Sequence, residues 1–257
     1  MQSAMRIIAV GLVAIFQIQA APAAQIATLL GRPDSAQSFV REIVKESVSL
    51  GGNTSYEQDW TTQLYSILAG RGVRDAISFE VIEAEGGVSN ELLLKGFDQA
   101  AAKAPVVMTA VGGSSEQNNA LCAYLSRHAE AAFVLAAGKS GYEIGEGAEP
   151  NCSARNILRV AALGRDRKHL MPSSNFGYTI RIAAAGEEIP VTGVGGRSTR
   201  LTGTSPAAAV VAAEIAKFAA RSPALDAAGL INRFLRLRTV RVPELDGKIE
   251  GARALRD

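Results

Sequence analysis

The sequence is poor in the side chains that most often carry chemistry. It holds two cysteines, two histidines and one tryptophan in 257 residues. Cys122, Cys152, His128 and His169 are scattered, with no metal-ligand spacing among them, so neither a zinc site nor any other metal is expected. Two cysteines are too few for a disulfide-built scaffold, and whether they pair depends on reaching an oxidising compartment. An excess of one charge is also lacking. The 27 basic residues stand against 25 acidic ones, and no basic block is long enough to mark a nucleic-acid surface. Arg233, Arg236, Arg238 and Arg241 recur near the C-terminus and are expected on a solvated strand or helix face. Glycine loops occur at Gly112-Gly113 and Gly193 to Gly196, but neither completes a dinucleotide or Walker pattern. No cofactor is expected.

What is present is apolar and alternating. A hydrophobic content of 47% over this length suits one α/β domain with a sizeable core. Residues 1–24 have the form of a signal peptide: Arg6 in a positive n-region, an apolar run from Ile7 to Ile18, and small residues from Ala20 to Ala24. Gln25 is then the expected mature start, and residues 25–257 the domain. The apolar run is short for a membrane span, so an exported, periplasmic or secreted chain without a stable span is expected. The alternative reading of Ile7 to Phe16 is a first buried strand.

Beyond residue 58, helical and strand-like stretches take turns. Helices are predicted over Asp59 to Leu68, Asn90 to Ala102, Gln117 to Arg127 and Ser205 to Arg221. Strands are predicted over Ala76 to Ala84, Pro105 to Ala110, Ala131 to Ala137, Asn156 to Leu163 and Tyr178 to Ala184. Short apolar strands alternating with helices imply βαβ units and a mostly parallel sheet covered on both faces. In such sheets, sites lie beyond the carboxyl ends of the strands. Gly112-Gly113 and Gly138 fall at that edge.

The order of these segments resembles the subtilisin-like serine proteases, the subtilase or S8 family. SSNFGYTIRIAAAGEEI (Ser173 to Ile189) is similar to the family's Ser-Asn-aromatic-Gly turn and the strand after it. TGTSPAAAVVAAEIAKF (Thr202 to Phe218) resembles the Gly-Thr-Ser motif and its small-residue helix. VMTAVGG (Val107 to Gly113) and FVLAAGKSG (Phe133 to Gly141) resemble the two strand-and-loop walls of the family's substrate groove. ARNILRVAAL (Ala154 to Leu163) resembles the next strand, and LDGKIEGARAL (Leu245 to Leu255) a glycine-then-helix ending. The resemblance implies a three-layer subtilisin-like α/β fold.

It also implies site residues. Ser205 stands at the nucleophile position, at a helix start whose free N–H groups favour developing negative charge. On its local sequence alone, Ser205 reads as an ordinary helix N-cap. Ala110, Val111, Gly112, Gly113, Ala137, Gly138 and Thr204 are the implied substrate-binding positions. The family's histidine position falls on Trp60, its aspartate on Leu30 with Asp34 nearby, and its oxyanion asparagine on Lys139. Lys139 is either a surface residue or an oxyanion donor and base, as in Ser-Lys hydrolases. Glu57 and Asp59 are a second candidate acid pair, although a spacing of two does not share a helix face. The expected function is that of a pseudo-protease that binds a peptide or protein segment. The alternative is an active serine endopeptidase with a non-standard base.

Overall fold

Strand formation follows from runs of small and β-branched apolar residues that end at glycines. The structure is a computed structural model that describes residues 13–18, 55–73, 77–82, 94, 97, 98, 100–102, 104–110, 115–145 and 147–256. In chain order the strands are β1 (Val13–Ile18), β2 (Ile77–Ile82), β3 (Val106–Thr109), β4 (Ala132–Ala136), β5 (Ile157–Leu163), β6 (Ile180–Ala185), β7 (Ile189–Thr192), β8 (Ser198–Leu201), β9 (Thr239–Arg241) and β10 (Arg253–Leu255). The helices are α1 (Ser55–Leu68), α2 (Ser115–Leu125), α3 (Thr204–Ala220) and α4 (Ala227–Arg238). Helical residues also occur within 94–102.

One sheet of eight strands runs β2-β1-β3-β4-β5-β6-β10-β9, and β7 and β8 form a separate hairpin. From β3 through β6 to β10 every neighbour is parallel. β1 lies between β2 and β3, antiparallel to both. It overlaps the alternative strand reading of the N-terminus and falls inside the segment read as a leader.

Successive residues of the central strands feed opposite layers, as the two-residue strand period requires. Val106, Met108, Val134, Leu158 and Val160 pack with α1, α3 and α4. Val107, Phe133, Leu135 and Ile157 pack with Phe97 and with Cys122 and Leu125 of α2. The result is helix, sheet, helix. α3 is buried along its whole length except at Ser205, Lys217 and Ala220. Its run of alanines lets the helix lie close against the sheet. Among the described residues no helix is long and apolar enough to cross a membrane.

Three readings change. α1 begins at Ser55, not Asp59, so Trp60 sits inside the helix rather than at its start. α4 and the β7–β8 hairpin were not predicted. The expected C-terminal helix is instead a short turn, Glu250–Ala252, followed by β10. The reason is local: Gly251 holds φ at +68°, outside the helical range, and the chain leaves as a strand between β6 and β9. Cys122 and Cys152 form a disulfide, tying α2 to the turn Pro150–Ser153.

Candidate functional site at the carboxyl end of the parallel strands

The N-terminus of α3 meets the loop that leaves β4. Gly203 precedes α3 with φ +142°, a value that favours glycine, and it offers no side-chain cap. The N–H groups of the first turn are therefore not satisfied by a capping side chain. Thr204 is buried and its Oγ1 accepts a hydrogen bond from the Gly138 N–H at 3.2 Å. Ser205 is half-buried beside it, and Pro206 is buried. Among the described residues none hydrogen-bonds the Ser205 Oγ.

The wall at Ala137-Gly138 is built by side chains from three other segments. Gly138 has φ +99°, and a Cβ there would come within 2.6 Å of Asn175 Nδ2. Only glycine fits. The space it leaves lets Asn175 Nδ2 donate to the Ala137 carbonyl at 3.1 Å, while Asn175 Oδ1 accepts from the Ser140 N–H at 2.9 Å. The Asn175 N–H donates to the Gly138 carbonyl at 3.0 Å. Behind the wall lies a buried ion pair between Arg159 and Glu149. Arg159 also donates to Thr179 Oγ1 at 3.2 Å and to the Ala137 carbonyl at 3.4 Å. Burial pulls its guanidinium below the ordinary arginine value, and the Glu149 charge and hydrogen bond work against that shift.

The structure thus brings Ala137, Gly138, Thr204 and Ser205 together. Lys139 follows on the same loop and is exposed. Ala110 is half-buried just beyond β3, which pairs directly with β4. Val111, Gly112, Gly113, Leu30 and Asp34 lie outside the described residues, as does the side chain of Glu57.

Trp60 is half-buried and packs on the core shared by α1 and α3. Asp59 is committed elsewhere. Its carboxylate accepts from Gln63 Nε2 at 2.7 Å and the Val194 N–H at 2.8 Å, and it pairs with Arg197. That holds the loop between β7 and β8 and occupies the proposed base. His128 follows α2 at the opening end of β4, with its ring nitrogens 3.1 Å from Asp98 and 2.9 Å from Glu130. His169 is exposed, with Nδ1 2.6 Å from Asp166. Its hydrogen bond is the main force holding the Asp166 carboxyl well below the usual range.

Three site-forming residues escaped the sequence reading. Asn175 lay in the quoted Ser-Asn-Phe-Gly turn without an assigned role. Arg159 carried a visible signal, as the one charge within the apolar strand ILRVAAL. Its partner Glu149 carried none, since a loop glutamate ordinarily faces water.

A mostly parallel sheet between helix layers, with a serine at the start of a buried small-residue helix beyond its carboxyl edge, defines a subtilisin-like α/β domain. The profile described as "Subtilase family" matches residues 51–239. The chain belongs to the subtilase family. Its fold is similar to the A subunit of the AB5 toxin from E. coli, with 21% identity, a TM-score of 0.55, and coverage of 67% of this chain and 66% of that one. It is similar also to a structure titled for the assembly of the subtilase cytotoxin SubAB, with 21% identity, a TM-score of 0.53, and coverage of 67% and 64%. A cold-adapted subtilisin-like serine proteinase gives 21% identity, a TM-score of 0.55, and coverage of 68% and 64%. The chain therefore spans just under two thirds of the length of each. No curated protein sequence matches it.

Proposed function

We propose that this is an exported subtilase-family domain that holds an extended peptide or protein segment and does not cleave it. The observation that carries the reading is the setting of Ser205. The wall at Ala137-Gly138 is fully braced against Thr204, while the positions expected to supply a base hold Trp60, packed into the core, and Asp59, engaged with the β7–β8 loop. Serine is a poor nucleophile without a base in reach. A strand-like segment laid along the ends of β3 and β4 uses backbone hydrogen bonds for affinity and needs no nucleophile. Export is supported by the leader-like residues 1–24 and by the Cys122–Cys152 bond, which suits an oxidising compartment.

The test is labelling with a fluorophosphonate probe, alongside peptide-cleavage assays of the wild type and Ser205→Ala. The expected result is no adduct on Ser205 under conditions that label an ordinary subtilase, with peptide binding retained in Ser205→Ala. An adduct on Ser205, with cleavage abolished by Ser205→Ala, overturns this reading. It would favour a serine hydrolase with Lys139 or Glu57 as the non-standard base, a reading that the uncapped start of α3 supports.

A further inference from the structure

Arg159 and Glu149 occupy an unusual place for an ion pair. Both side chains are almost fully buried, at 4% and 1% exposure. A buried pair is weak evidence for stability, because desolvation offsets much of the attraction. Its geometry here is more informative than its charge. One guanidinium nitrogen serves Glu149 and Thr179, and the other reaches the Ala137 carbonyl. That carbonyl lies one residue beyond β4, and the next residue, Gly138, donates to Thr204 beside Ser205.

Glu149 is itself held from two sides. Asn118 Nδ2 of α2 donates to its Oε1 at 3.2 Å. Three residues on, Cys152 is bonded to Cys122 of α2, and between them the Asn151 N–H donates to Asn119 Oδ1 at 3.0 Å. A continuous chain of contacts runs from α2, through Glu149 and Arg159, to the Ala137 carbonyl.

We infer that Arg159, fixed by Glu149, is a positioning residue that sets the groove wall at Ala137-Gly138 next to Ser205. The inference rests on that groove being the peptide site proposed above. A planar guanidinium offers several donors in a fixed fork, whereas an ammonium is a single point. Arg159→Lys therefore keeps a charge for Glu149 but has one nitrogen where the guanidinium uses two, so the contact with the Ala137 carbonyl is expected to weaken or break.

The experiment uses the full chain and two readouts: site-resolved amide hydrogen exchange, and binding of a fluorescein-labelled hexapeptide of alternating alanine and valine. In Arg159→Lys the unfolding midpoint should stay near wild type, exchange at Gly138 and Ser140 should rise about tenfold, and exchange within β4 should not change. Hexapeptide affinity should fall about tenfold. A folded Arg159→Lys with wild-type exchange at Gly138 and Ser140 overturns the inference, because charge balance alone would then be the role of Arg159. So does exchange that rises equally throughout the sheet. If Arg159→Lys does not fold, the double variant Glu149→Leu/Arg159→Met decides. It removes both charges together, which is tolerated far better than removing one, and the same local loss of protection is expected. Failure of the wild type to bind the hexapeptide sinks the peptide reading, and the exchange results then decide the positioning role alone.

Discussion

Glu214 is the single acid of α3, the helix that carries Ser205 at its start. It lies on a mostly apolar helix, and three cations surround it, one of them from the same helix. Lys217 Nζ is 2.5 Å away, Arg238 Nη2 3.2 Å and Arg71 Nη1 3.4 Å. Burial is the largest influence on its carboxyl and acts to raise its pKa. The Lys217 hydrogen bond and the charges of Lys217, Arg71 and Arg238 together outweigh it, so the group sits below the ordinary glutamate value. A carboxyl whose pKa is lower folded than unfolded binds its proton more readily in the unfolded chain. Its stabilisation is complete above the unfolded value and is lost as pH falls through the folded one. Urea midpoints measured from about pH 6 down to about pH 3 should therefore decline in the wild type. The decline should be shallower in Glu214→Gln, whose neutral amide has no proton to gain. Equal slopes in the two proteins would show that Glu214 is not part of the acid response.

At the scale of elements, the Cys122–Cys152 bridge joins α2 to the turn that directly follows Glu149, across a sequence separation of 30. Closing a loop of that size removes denatured-chain entropy worth about 3–4 kcal/mol. Cys122→Ala/Cys152→Ala should lose stability of that order in urea unfolding, and a dithiol should lower the wild-type midpoint while leaving the variant unmoved. The same elements explain what could be read from the sequence. β3, β4 and β5 were legible because each is a short apolar run, buried on both faces. α3 was legible from its small residues after Gly-Thr-Ser. α4 was not, because Arg233, Arg236 and Arg238 interleave with Leu230, Ile231, Phe234 and Leu235 and mask the helical spacing of that apolar face. Those arginines do lie toward solvent or in ion pairs, as Arg238 does with Glu214. β7 and β8 are only four residues each, and Pro190 breaks the strand pattern. In the site, Ser205 and Gly138 were visible as motif residues. Arg159, Glu149 and Asn175 act through partners 10 to 38 residues away, and such pairings are set by the fold rather than by local spacing.

For the whole molecule, the two readings of the N-terminus make one physical demand. In the full chain β1 closes the gap between β2 and β3, with six register pairs to β2 and four to β3. Cleavage before Gln25 removes that strand. Val106, Val107 and Met108 in β3 have no solvent exposure while β1 is in place, and its loss leaves the backbone groups on that edge needing new partners, from water or from another segment. A cleaved chain that keeps β3 protected needs another segment in place of β1. Two measurements on exported protein check this. N-terminal sequencing should give Gln25 as the first residue. Amides of β3 should remain as protected in the cleaved chain as in the full one. Fast exchange confined to β3 would mean that the gap stays open, and that β1 is the strand on which this half of the sheet depends.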